Sequence, residues 1–175
     1  MRIVGGKFAG WDLTSPNDFR VRPTAEPVRA AMLDRLGAVV AKARILDLFA
    51  GTGALGLEAL SRGAASADFV ETRASSLHAL KANIITVRAR EKTRVFRKDA
   101  LPFAAELREG SYDIAFVDPP YESRMLDRVI EGWQATRFAT ILVAEHATTH
   151  TLPKGADVMR FGETSVSFYG MRAGR

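Results

Sequence analysis

From Arg44 to Glu145 short apolar runs alternate with segments of helical period, and this alternation constrains the fold more than any other feature. Residues 45–49, 67–71, 94–97, 113–117 and 140–145 have the length and composition of buried strands. Between them, residues 54–62, 74–88, 103–109 and 124–133 read as helices, with Leu77, Leu80, Ile84 and Val87 sharing one face of the second. The pattern predicts an α/β architecture with a doubly wound, Rossmann-like and mostly parallel sheet. Residues 157–161 and 164–169 flank Gly162-Glu163 as a closing hairpin, which adds an antiparallel edge.

Before Lys42 the pattern is irregular. Residues 2–4 and 8–13 suggest two short strands around Gly5-Gly6, and residues 14–22 read as loop. Thr24 stands where a helix cap belongs, with Pro27 in the first turn and Gly37 as the stop. The expected division is an N-terminal hairpin extension over residues 1–22 and a single domain over residues 23–175.

Composition excludes several chemistries. The absence of cysteine rules out disulfides, thiolate catalysis and cysteine-ligated zinc. No apolar run approaches the ~20 residues that span a bilayer, and the first residues lack the apolar stretch of a signal peptide. A cytoplasmic protein without membrane contact is the expectation. The net charge of +5 favours polyanionic partners. Lys81, Arg88, Arg90, Lys92, Arg94, Arg97 and Lys98 cluster in residues 81–98 against Glu91 alone. Such a cluster suits either a solvated helix face or a nucleic-acid contact. His78, His146 and His150 are scattered without metal-ligand spacing, and no metal is expected.

Doubly wound sheets bind ligands beyond the carboxyl ends of their strands. Four such positions here carry chemistry. Asp47 and Phe49 lead into Gly51, Gly53 and Gly56, a G-x-G-x-x-G segment between strand and helix. Glycine permits the tight turn and close ligand approach, but the motif suits a dinucleotide or an unliganded turn equally well. Asp47 shifts the balance, since a carboxylate beside the loop attracts a cationic ligand and repels a pyrophosphate. Glu71 ends the second strand, placed to accept from two ribose hydroxyls, with Thr72 following. Asp99 and Ala100 end the third, placed to meet an adenine; Asp99 also suits a cap for the helix after Pro102.

After the fourth strand comes Asp118-Pro119-Pro120-Tyr121, the most specific signal in the chain. The lone pair of an exocyclic base amine is delocalised into its ring, so the amine is a weak nucleophile. Two acceptors on its hydrogens would hold it and favour tetrahedral nitrogen. The Asp118 carboxylate and the Pro119 carbonyl are the candidates, stiffened by prolines whose φ is restricted. Tyr121 offers a face for a flipped base. Together these residues point to methyl transfer from S-adenosylmethionine, whose ammonium suits Asp47. The motif alone serves guanine N2, adenine N6 and cytosine N4. A fold that binds rRNA without catalysis is a further alternative, and a nicotinamide oxidoreductase is disfavoured by Asp47.

The residues also resemble a known family. Arg2-Ile3-Val4-Gly5-Gly6-Lys7, Arg22-Pro23-Thr24 with Val28-Arg29, the segment from Leu46 to Ala59 and Asp118-Pro119-Pro120-Tyr121 are similar to the RsmD family. These are the bacterial 16S ribosomal RNA guanine-N2 methyltransferases. The resemblance implies a seven-stranded class I methyltransferase sheet and S-adenosylmethionine as cofactor. It implies 16S rRNA as substrate, in a 30S subunit or an assembly intermediate, and a monomeric enzyme. It implies that Asp47, Gly51 and Gly53 line the cofactor, Glu71 holds ribose, Asp99 the adenine, and Asp118 to Tyr121 the guanine. Arg22, Thr24 and Arg29 would lie over the cofactor or the incoming base. One departure stands out: the hairpin reads Ala9-Gly10-Trp11-Asp12 where the family usually carries arginines.

Overall fold

The computed structural model describes residues 1–16, 24–120 and 124–171. Helix α1 (Glu26–Leu36) precedes alternating elements: β1 (Arg44–Leu48), α2 (Ala54–Ser61), β2 (Ser66–Val70), α3 (Ala74–Thr86), β3 (Thr93–Phe96), α4 (Ala100–Ala105), β4 (Tyr112–Val117), α5 (Met125–Thr136) and β5 (Ala139–Ala147). Strands β6 (Ala156–Phe161) and β7 (Thr164–Tyr169) close the chain as a hairpin. The seven strands lie in the order β3-β2-β1-β4-β5-β7-β6, with β7 antiparallel to both neighbours. Parallel strands need crossovers, and the helices supply them.

Alternation along each strand divides the core into two layers. Ile45, Phe69, Ile114, Phe116, Ile141 and Val143 pack with α1, α2 and α3 through residues such as Met32, Leu57 and Leu80. Leu46, Leu48, Val70, Ala115, Val117 and Leu142 pack with Phe103, Ile130 and Trp133 of α4 and α5. Trp133, expected at a buried helix end, is sealed, and its indole N–H donates to the Ala139 carbonyl at 2.7 Å. No described helix is long and apolar enough to cross a membrane.

Three expectations give way to stronger local interactions. The N-terminal strands reduce to one bridge, Arg2 with Asp12, around a 3-10 turn at Gly6–Phe8. The backbone donors that a strand would need go to α2 instead: Val4 and Gly5 donate to Glu58, and Phe8 to the Ser61 hydroxyl. Thr24 does not cap α1, whose cap position is Ala25 without a side-chain bond; the Thr24 hydroxyl is drawn to an acid of β5. Helix α4 starts at Ala100 rather than residue 103 because Asp99 accepts from the Leu101 N–H at 3.0 Å, and Pro102 then falls in the first turn, where no N–H is needed.

Candidate active site

Strand order reverses between β1 and β4, and a cavity of about 570 Å³ opens there beyond the strand ends. Asp47 forms part of its wall from within β1. Its Oδ2 accepts from the Gly56 N–H at 2.9 Å. Burial, with the nearby Glu71 charge adding to it, pushes the Asp47 carboxyl up to about 8 despite that bond. A buried acid held near neutrality gains from a cation more than a solvated one does.

β1 ends because Phe49 turns into the left-handed region, with φ 63°. A bulky residue there is strained, and such strain concentrates where a loop must take one shape. Gly51 follows with φ 55°, and its N–H donates to Glu71 Oε2 at 2.9 Å. The other oxygen, Oε1, accepts from the Thr72 and Arg73 N–H groups at 2.7 and 2.8 Å. Glu71 therefore ties the glycine loop to the turn after β2 while lining the cavity with Thr72. Gly53 and Gly56 do not line it. An added Cβ at Gly53 would stand 2.3 Å from Leu80, and one at Gly56 would stand 2.4 Å from the Phe69 ring. These two glycines let α2 settle on the sheet; of the three, Gly51 alone meets the cavity.

Asp99 and Ala100 lie on the same wall. Asp99 is both helix cap and cavity residue, so the two readings of it coexist. Beside Glu71, the buried Ser76 hydroxyl also lines the cavity and has no hydrogen-bond partner among the described residues. An orphaned buried hydroxyl costs free energy unless a ligand or water meets it. That hydroxyl, the acids around it and the size of the cavity fit a cationic nucleoside such as S-adenosylmethionine.

At the other end Asp118, Pro119 and Pro120 follow β4 directly and line the cavity. The Thr24 hydroxyl lies 2.7 Å from Glu145 Oε2 and 3.4 Å from Asp118 Oδ2. Burial holds the Asp118 carboxyl well above the usual carboxylate range, and the Glu145 and Asp47 charges push it further. Tyr121 and Arg22 lie outside the described residues.

Arg29, expected over the cofactor or base, does not reach the cavity. It is buried behind it, ion-paired to Glu58 and donating to the Thr24 and Arg2 carbonyls. Its contact with the site runs through the Thr24 backbone. Sequence reasoning missed Ser76, Arg73, Lys98 and Glu145 among the lining residues. The signal for Glu145 was present: it ends the expected fifth strand, as the other acids end theirs. In the parallel register Val117 pairs with Ala144, so Asp118 and Glu145 occupy the next position on neighbouring strands. Outside the cavity His146 bonds the Ser167 hydroxyl and His150 pairs with Asp127. Among the described residues no acids and histidines are grouped to hold a metal ion.

Residues 1–170 match the family described as conserved hypothetical protein 95. The chain is 36% identical over 158 residues to ribosomal RNA small subunit methyltransferase D of Escherichia coli K12, covering 87% of this chain and 78% of that protein. A solved structure of a hypothetical protein from Thermus thermophilus superposes with a TM-score of 0.83 at 30% identity, over 98% of this chain and 99% of that one. At 14% identity, an RNA methyltransferase from Salinibacter ruber in complex with S-adenosyl-L-homocysteine shares the fold with a TM-score of 0.66, over 85% of this chain and 92% of that one.

Proposed function

The chain belongs to the conserved hypothetical protein 95 family, the RsmD methyltransferases, and from that premise we propose that it methylates the exocyclic N2 amine of a guanine in 16S rRNA. The observation that carries this reading is the cavity shared by the acid-lined glycine loop and the Asp118-Pro119-Pro120 turn. S-adenosylmethionine, when bound, supplies an electrophilic methyl group on a positively charged sulfur.

The residues of this chain bind and orient. Asp47 faces the cationic methionine part, Phe49 and Gly51 shape the loop around it, and Glu71, Thr72 and the Ser76 hydroxyl meet the ribose. Asp99 and Ala100 meet the adenine. Asp118 and the Pro119 carbonyl accept from the two hydrogens of the target amine, holding its nitrogen in line for attack. The amine nitrogen sheds a proton on methylation, and Asp118 is the acceptor at hand; its raised affinity for protons suits that task. Tyr121 stacks on the flipped guanine in this proposal.

Arg73 and Lys98 are exposed on the cavity lining, and Arg97, next to Lys98 in the chain, is exposed as well. This rim would grip phosphates around the extruded base. Residues 1–22, which include the reduced hairpin, would add a second contact. A monomer acting in the cytoplasm on a 30S subunit or assembly intermediate completes the reading.

The test is radiolabelled transfer from S-adenosylmethionine to small subunits from a strain lacking its own guanine-N2 enzyme, with the labelled nucleoside identified. N2-methylguanosine is the expected product. Methyladenosine or methylcytidine would replace guanine as the target while keeping the amine chemistry.

A further inference from the structure

The reaction so far accounts for one acid at the base end of the cavity, but the structure holds two. Glu145 is buried, lines the cavity and stands level with Asp118 on the adjacent strand. One threonine hydroxyl reaches both carboxylates, donating to Glu145 at 2.7 Å with Asp118 at 3.4 Å. Burial, and then the neighbouring Glu145 charge, raise the proton affinity of Asp118. Two carboxylates side by side suit a ligand edge whose neighbouring atoms both donate.

Guanine has such an edge. Its N2 amine is flanked by N1–H, so adjacent atoms both donate. Adenine N6 is flanked instead by N1, and cytosine N4 by N3, and both ring nitrogens are bare acceptors. Resting on the function proposed above, we propose that Glu145 is the specificity residue of the site, accepting from guanine N1–H while Asp118 holds the N2 amine. A carboxylate offers about four lone-pair positions, and the Thr24 hydroxyl meets one of those on Glu145. A bare ring nitrogen facing the same carboxylate would meet lone pair with lone pair in a site with little water, and a buried acceptor without its donor is costly. The Asp-Pro-Pro motif then supplies reactivity toward an amine, and Glu145 supplies the choice of base.

The decisive probe is 2-aminopurine, which keeps the N2 amine and lacks N1–H. Once the target guanine is mapped by the transfer assay, small subunits are reconstituted with guanine or 2-aminopurine at that position. For the wild-type enzyme kcat/KM on 2-aminopurine should fall at least ~100-fold below that on guanine, a floor set beneath the roughly 10⁴–10⁵-fold that a site built to bond a missing hydrogen can reach. Glu145→Gln, whose amide can donate to the bare nitrogen, should lose at least ~10-fold on guanine and narrow the ratio by a similar factor. Retained S-adenosylhomocysteine binding shows that the variant is folded. Thr24→Val keeps both acids and removes the hydroxyl that fixes Glu145, so its ratio should narrow in the same direction. Equal rates on the two bases in the wild type, or an unchanged ratio in both variants, would overturn the assignment. No label on guanine from the wild type at all would instead overturn the function on which it rests.

Discussion

Arg29 and Glu58 form an ion pair sealed from solvent, with Nε and Oε2 3.3 Å apart and both side chains at 0% exposure. Glu58 also accepts from the Val4 and Gly5 N–H groups, and Arg29 donates to the Arg2 and Thr24 carbonyls. The pair joins the N-terminal segment, α1 and α2, and its outer end fixes Thr24 at the cavity. Glu58 also pairs with Arg62, so the exposed liability is Arg29: removing Glu58 leaves it charged, buried and without the acid it pairs with. Glu58→Ala should therefore cost about 3–5 kcal/mol in chemical denaturation. A loss below about 1 kcal/mol would show that water or another acid takes its place.

Asp47 couples stability to pH. Its carboxyl is raised from 3.8 to about 8 in the folded chain. Between those values the folded state holds a proton that the unfolded state has released, so stability falls as pH rises through this window. Thermal melts without cofactor should show a lower Tm at pH 8 than at pH 5. Asp47→Asn keeps an oxygen for Gly56 and removes the charge. It should raise Tm at pH 8, by about 2–4 °C for each kcal/mol recovered, while weakening S-adenosylmethionine binding at least ~10-fold, or about 1.4 kcal/mol. A Tm unchanged by the substitution at pH 8 would count against the buried acid as the cause.

Asp118→Ala should reduce single-turnover transfer by at least ~100-fold, the scale of a missing acid–base or positioning group. Calorimetry with S-adenosylhomocysteine should give a Kd within a few-fold of wild type. Equal loss of both would reassign Asp118 to the cofactor.

The wild-type pH–rate profile bears on the same residue. Asp118 accepts in its ionised form, and its proton affinity is raised in the site. The acid limb of the profile should then lie above the ~4 expected of a free carboxylate, and Glu145→Gln, which removes a neighbouring negative charge, should move it toward lower pH. A limb that stays in place would uncouple the two acids.

The exposed Arg90 and Lys92 belong to the basic cluster of residues 81–98 and precede β3, at the end of the strand away from the cavity. Their joint replacement by Ala should weaken rRNA binding and flatten its salt dependence, by roughly 0.7–0.9 in log–log slope for each phosphate no longer neutralised. Cofactor affinity should hold. An unchanged slope would return these residues to a solvated helix end.

The sheet was legible because apolar runs of strand length recur between amphipathic stretches, and the observed strand limits lie within about two residues of the expected ones. The acid positions were legible because such sheets bind ligands at strand ends. What escaped depends on partners distant in sequence. Thr24 reads as a cap until Glu145, 121 residues away, claims its hydroxyl. Arg29 reads as a ligand residue until the fold buries it against Glu58. Gly53 reads as a cofactor glycine until Leu80 and Phe69 are seen to crowd it. Local pattern states which residues can do chemistry; packing decides which of them face the cavity.

The clasp between the N-terminal segment and α2 has a consequence for biosynthesis. Residues 4–14 bond to Glu58, Ser61 and Asn83, 53 to 69 positions further along the chain. During translation at about 5–20 residues per second they wait several seconds for these partners before their docking surface leaves the ribosome. The base end waits longer still, since Glu145 follows Thr24 by most of the chain. The nascent protein thus exposes its basic residues before it has a site for a base, and an RNA met at that stage would be held by charge alone, without selection.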